Sequence, residues 1–141
     1  MVTAAAPAIR HAEALSAYAT TVAAALPPCP GRLSTAVSAL SWIELRVQHL
    51  AARDGRQDAL LCPRAGGGFV IVVDPDLSPA DRVAGRDAPG AMDWRIAHEL
   101  GHTFFYDRGR SPRRWSSWRP EEEDAADHFA ALLLGELSIP V

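Results

Sequence analysis

His98-Glu99-Leu100-Gly101-His102 is the stretch on which the reading of this chain turns. Its two histidines stand four residues apart. On an α-helix, positions i and i+4 share a face, so both imidazoles can reach one cation. Glu99 is one residue on from His98 and points beside that face, where it can take a proton from a water on the cation rather than bind the cation itself. Zinc is the default metal for imidazole ligands completed by a carboxylate, with water in the remaining position. The preceding Trp94-Arg95-Ile96-Ala97 fits the same helix, which is expected to begin near Met92-Asp93 and to run to Tyr106.

A third ligand is required. Metzincins place Gly and His three and six residues after the second histidine; Phe105 and Arg108 stand there, which excludes that branch. Asp107 follows soon after but lies at the expected end of the helix. A better donor comes from a last helix predicted over residues 120–135, opened by Pro120 and ended by Gly135. Glu121, Glu122, Glu123 and Asp124 suit the positive end of its dipole. Glu123 can complete the ligand set, with Glu122 as its rival. Asp127, four residues beyond Glu123, can accept the second ring N–H of a ligand histidine and fix its tautomer.

The pentad, followed by Glu123-Asp124-Ala125-Ala126-Asp127-His128-Phe129-Ala130-Ala131-Leu132-Leu133, resembles the ImmA/IrrE family of metallo-endopeptidases. The resemblance is specific over residues 94–134, looser over 33–73, and absent before Leu33. It implies zinc held by His98, His102 and Glu123 in a gluzincin-like set, with Glu99 as general base. It also implies a zincin-like α+β domain, helix-rich, with a small sheet of about three strands beside the active-site helix. A partner follows by the same inheritance: members of the family cut or destabilise a repressor. One departure is local. The family closes its second helix with a proline just after the paired leucines, and this chain has Gly135-Glu136 there, with Pro140 later.

Other residues near the pentad are candidates of lower rank. Tyr106, four residues past His102, can stabilise an oxyanion if the helix persists, or can pack at the rim of the core. His128, beside Asp127, has the same two readings. The segment between the two ligand-bearing helices carries Arg108, Arg110, Arg113, Arg114 and Arg119, with Trp115 and Trp118 among them. Such a run is either a solvated surface or a cleft rim, where Arg113, Arg114, Trp115 and Trp118 would favour an acidic or aromatic segment of a protein or peptide substrate.

Upstream, residues 9–26 read as an Ala-rich helix closed by Pro27-Pro28, and residues 34–53 as a second helix capped by Ser34, striped by Val37, Leu40, Ile43, Val47 and Leu50. His49 lies near that stripe and reads as a partly buried structural residue; His11 also reads as structural. Short strands are expected at 59–62 and, most clearly, at 69–73, after the turn Gly66-Gly67-Gly68. The run Phe69–Val73 could hold a peptide by edge pairing. Residues 76–91 read as a loop.

The 141 residues fit one ordinary domain. At 48% apolar and 22% charged, the composition is that of a globular protein rather than a disordered one. All 14 basic residues are arginine, and the net charge of −3 does not suggest a nucleic-acid binder. Cys29 and Cys62 are too few for a disulfide framework. No segment has the length and apolarity of a membrane span. Leu26-Pro27-Pro28-Cys29 lacks the small residues of a lipoprotein cleavage site, so a cytoplasmic protein is expected. The expected activity is that of a zinc endopeptidase of narrow specificity. Two alternatives share the residues: a zinc-binding interaction module on a peptidase scaffold, and a hydrolase of a small amide or biosynthetic peptide. Glu99 speaks against the first, because a structural metal needs no base.

Overall fold

The computed structural model describes residues 11–28, 30–50, 58–107 and 120–140. Among these, five helices and a three-stranded mixed sheet make an α+β arrangement. Helix α1 (Ala12–Ala24) buries Leu15, Ala19 and Val22, one face at helical spacing, and ends before Pro27-Pro28. A short helix α2 (Leu33–Ala36) runs into a 3-10 turn at Val37–Ala39. Strands β1 (Ile43–Val47), β2 (Ala59–Pro63) and β3 (Phe69–Val73) follow, then helices α3 (Pro79–Ala84), α4 (Ala88–Asp107) and α5 (Pro120–Glu136).

The helix expected over 34–53 is replaced, over its described part, by α2, the 3-10 turn and β1. The residues Val37, Leu40, Ile43 and Val47 fit a helical stripe, but Ile43, Leu45 and Val47 also alternate with Glu44 and Arg46. The sheet decides between the two periods: β1 lies parallel to β3, with Ile43 opposite Phe69 and Val47 opposite Val73. The turn before β3 explains how the strands meet. Gly68 has φ +81°, and a Cβ there would stand 2.2 Å from the Trp42 carbonyl oxygen, the atom that accepts the Phe69 N–H at 2.8 Å. Glycine thus lets the hairpin close onto the start of β1.

The strand order is β1-β3-β2, with β3 antiparallel to β2. Both edges of β3 are therefore occupied, so Phe69–Val73 cannot hold a peptide by edge pairing; among the described residues, the open edges belong to β1 and β2. The apolar pentad is buried as a central strand should be, from Val70 to Val73.

The expected loop at 76–91 contains α3 and the first turn of α4. Ser78-Pro79-Ala80-Asp81 is a capping box: the Ser78 hydroxyl accepts from the Asp81 N–H, the Asp81 carboxylate accepts from the Ser78 N–H, and Pro79 takes the first turn. Asp93, buried on α4, accepts from the Leu33 N–H at 2.9 Å and pairs with Arg32 at 2.7 Å, which joins the start of α2 to α4. His49 is exposed instead of partly buried, its Nδ1 3.0 Å from Asp76. His11 is also exposed, at the start of α1. Helix α4 forms the centre of the fold. It packs most extensively on α5, and also on α2, β2 and β3. No helix among the described residues is long and apolar enough to cross a membrane.

Candidate metal centre

Helix α4 presents His98 and His102 on one face, as their spacing requires, and α5 brings Glu123 to meet them. The His98 and His102 Nε2 atoms lie 3.1 Å apart. Glu123 reaches His98 Nε2 with Oε2 and His102 Nε2 with Oε1, each at 3.0 Å. A tetrahedral zinc with ordinary bond lengths spaces its ligand atoms by about 3.3 Å. The two imidazole nitrogens thus stand nearly at the separation that one such ion sets, each with a different oxygen of the Glu123 carboxylate beside it; one donor atom from each residue lies within 4.8 Å of the others, and two imidazole nitrogens with a carboxylate suit zinc. Glu122, the rival ligand, is buried and does not belong to this group.

Asp127 gives His98 its orientation. Its Oδ1 lies 2.8 Å from His98 Nδ1. A carboxylate has no proton to offer, so Nδ1 donates and, in the neutral ring, Nε2 turns a lone pair toward Glu123 and His102. That is the tautomer a metal ligand needs. In the metal-free chain a proton does part of the work of a cation. Burial alone pushes the His98 pKa down, but the hydrogen bonds to Asp127 and Glu123 carry it up to about 10. Burial likewise pushes Glu123 up, and the His102 and His98 rings outweigh it, holding the carboxyl well below the usual range.

Glu99 is different. It is 7% exposed, its Oε2 lies 4.0 Å from His98 Nε2, and among the described residues it has no hydrogen bond. Burial, countered in part by the two imidazoles, raises its pKa. A buried carboxylate without a hydrogen bond is unfavourable, and ionisable groups with perturbed pKa values cluster where chemistry uses them. Strand β2 packs against α4, and burial, with the Glu99 charge after it, raises the pKa of the Cys62 thiol on that strand.

Tyr106, one turn beyond His102, is half-buried and meets Phe69 edge-to-face with ring centroids 4.8 Å apart; Trp42 also meets Phe69 edge-to-face, at 6.5 Å. His128 is half-buried and lies about 100° around α5 from Asp127. No hydrogen bond or ion pair among the described residues joins it to the ligand set. Arg113, Arg114, Trp115 and Trp118 lie outside the described residues, as does Cys29.

Sequence reasoning missed Arg95, which is 5% exposed one turn before His98 and Glu99. Its guanidinium donates to the Asp74 and Asp76 carbonyls at 2.6 and 2.8 Å and to the Asp81 carboxylate. The signal was the capping box at Ser78, which fixes Asp81 where a buried cation can meet it. No protein-family model matches the chain, and no curated protein matches it.

Proposed function

We propose that this chain is a zinc-dependent endopeptidase of narrow specificity, acting on a regulatory protein such as a repressor in a cytoplasmic setting. The observation that carries the reading is the convergence of His98 Nε2, His102 Nε2 and Glu123 from two helices, with the buried Glu99 carboxylate beside them, 4.0 Å from His98 Nε2. The resemblance of residues 94–134 to the ImmA/IrrE family supports it, as does the small sheet beside α4, in keeping with a zincin-like fold.

A zinc ion held by this set supplies Lewis acidity, which polarises a scissile carbonyl and acidifies water. The chain's own residues do the rest. His98, His102 and Glu123 hold the ion, and Asp127 keeps the His98 ring in its ligand tautomer. Glu99 accepts the proton of the attacking water and then delivers it to the leaving amine. Tyr106 and His128 are candidates to steady the oxyanion. The open edge of β2 offers main-chain groups to an extended peptide, and the Arg- and Trp-bearing segment favours an acidic or aromatic stretch in that peptide.

Two variants test the reading. Glu99→Gln keeps zinc, measured by elemental analysis of the purified protein, and lowers cleavage of a peptide library by about 10²–10⁴-fold. Glu123→Ala loses zinc. Undiminished cleavage in the first, or undiminished zinc in the second, removes the corresponding role.

A further inference from the structure

Gly101 sits in the middle of α4, between the two ligand histidines, where alanine is the better helix former. The reason for glycine is its neighbour. A Cβ at Gly101 would stand 2.9 Å from the Ala126 Cα, 3.1 Å from the Ala126 carbonyl oxygen and 3.1 Å from Phe129 Cδ1. The first two are backbone atoms, so no change of rotamer relieves the contact; α5 itself must move. Helix axes come to the near end of their usual separation only where the side chains between them are small. Ala126 is fully buried, as are Ala97 and Ala130, each one helical turn away along its own helix from Gly101 and Ala126.

We propose that Gly101 is a positioning residue for the metal centre, and that its missing side chain sets the α4–α5 separation at which Glu123 reaches both imidazoles. The inference rests on the metal reading above. Glu123 lies three residues before Ala126, so a shift of α5 at Ala126 is passed to the carboxylate within one helical turn. That carboxylate must meet two Nε2 atoms, each now at 3.0 Å, at the same time. Metal bonds tolerate departures of about 0.2 Å, less than the displacement that a Cβ at Gly101 demands. Gly135, on α5, gives the contrast: a Cβ there meets nothing within 4 Å. Gly101 and Gly135 therefore differ in whether a side chain has room.

The test measures zinc affinity by competition with a chromophoric chelator and, separately, thermal unfolding of the metal-free protein. The full chain is used as wild type, Gly101→Ala, Ala126→Val, Gly135→Ala and Val37→Ala. Gly101→Ala and Ala126→Val, which wedge the seam from opposite sides, bind zinc about 10–100-fold more weakly, the range seen when the support of a ligand is removed. Gly135→Ala keeps wild-type affinity. Val37→Ala, which leaves a hole in the 3-10 turn away from the seam, lowers the melting temperature and also keeps wild-type affinity. A folded Gly101→Ala with wild-type affinity overturns the proposal. If Gly101→Ala does not fold, Ala126→Val decides on the same criterion. A wild-type protein that takes up no zinc overturns the metal reading, and this inference with it, a result distinct from equal binding by wild type and variant.

Discussion

Within four residues of α4, charge is handled in two ways. At Arg95 the fold supplies the partners. The guanidinium is buried against the Asp81 carboxylate and two carbonyls, Asp81 is itself capped onto Ser78, and Arg86 stands 3.8 Å from its other oxygen. At Glu99, His98 and His102 the fold brings groups of mixed sign together and leaves one carboxylate without a hydrogen bond among the described residues. Both clusters are expensive to desolvate. The first repays that by closing the β3–α3–α4 junction. On the proposed metal reading, the second is completed by an ion from outside the chain. On that reading, a structural cluster and a functional one are told apart by whether their partners are internal, rather than by how strongly they are buried.

The largest effect expected on stability tests the first half of that contrast. Arg95→Ala leaves Asp81 buried without its cation and costs about 3–5 kcal/mol, read by urea unfolding. The loss is the same with and without zinc, because the clamp does not depend on the metal. A loss that zinc restores would mean that the two clusters act as one.

The second prediction concerns the other cluster. Zinc at a hundred times its dissociation constant stabilises the wild-type chain by about 2.7 kcal/mol, because it binds the folded state alone. His102→Ala abolishes that increment. Arg95→Ala keeps it, on a lower baseline. A smaller effect isolates the role of Asp127. Asp127→Asn leaves a side chain that can turn its oxygen or its amide toward His98 Nδ1, so the tautomer is no longer dictated, and zinc affinity falls by about tenfold. Unchanged affinity would show that the 2.8 Å contact is incidental to the ligand set.

The same contrast explains what the sequence made legible. The candidate cluster was readable because its information is local: His98 and His102 share a face by spacing alone, and Glu123 with Asp127 repeats the same rule on α5. Glu123 could be preferred to Glu122 in the sequence because it pairs with Asp127, and the described geometry brings Glu123 to the imidazoles. The clamp was not readable in this way. Arg95 draws on Asp74, Asp76 and Asp81, which approach only after β3 and α3 are in place. Strand β1 failed for the same reason. Ile43, Leu45 and Val47 satisfy two periods, and the pairing that chooses between them lies far along the chain, on β3. The strand at 69–73 was evident from its β-branched run, but that run does not say how many neighbours it has. Only α3 carried a local signal that was passed over, the Ser78-Pro79-Ala80-Asp81 box, hidden in a stretch whose Pro, Gly and Asp content reads as loop.

The smallest expected effect is a pH slope, and it belongs to the clamp. Burial alone would push Asp81 up. The Ser78 N–H and hydroxyl, with Arg95 and Arg86, outweigh burial and hold its carboxyl below the usual range. A carboxyl depressed in the folded state stabilises the fold above its unfolded pKa. That contribution is lost as the pH falls from the ordinary carboxylate range, near 4, down through the folded value. Asp74, also held low by the Leu50 and Asp76 N–H groups against the push of its burial, adds to the slope, whereas Asp58, pushed up by burial, opposes it. The metal-free wild type therefore loses stability in acid more steeply than Asp81→Asn, which starts lower and has no charge left to lose at that site. The comparison is made by urea midpoints between pH 6 and pH 3. Parallel curves for the two proteins would show that the Arg95 clamp is indifferent to the ionisation of Asp81, and that its stabilisation comes from the two carbonyls instead.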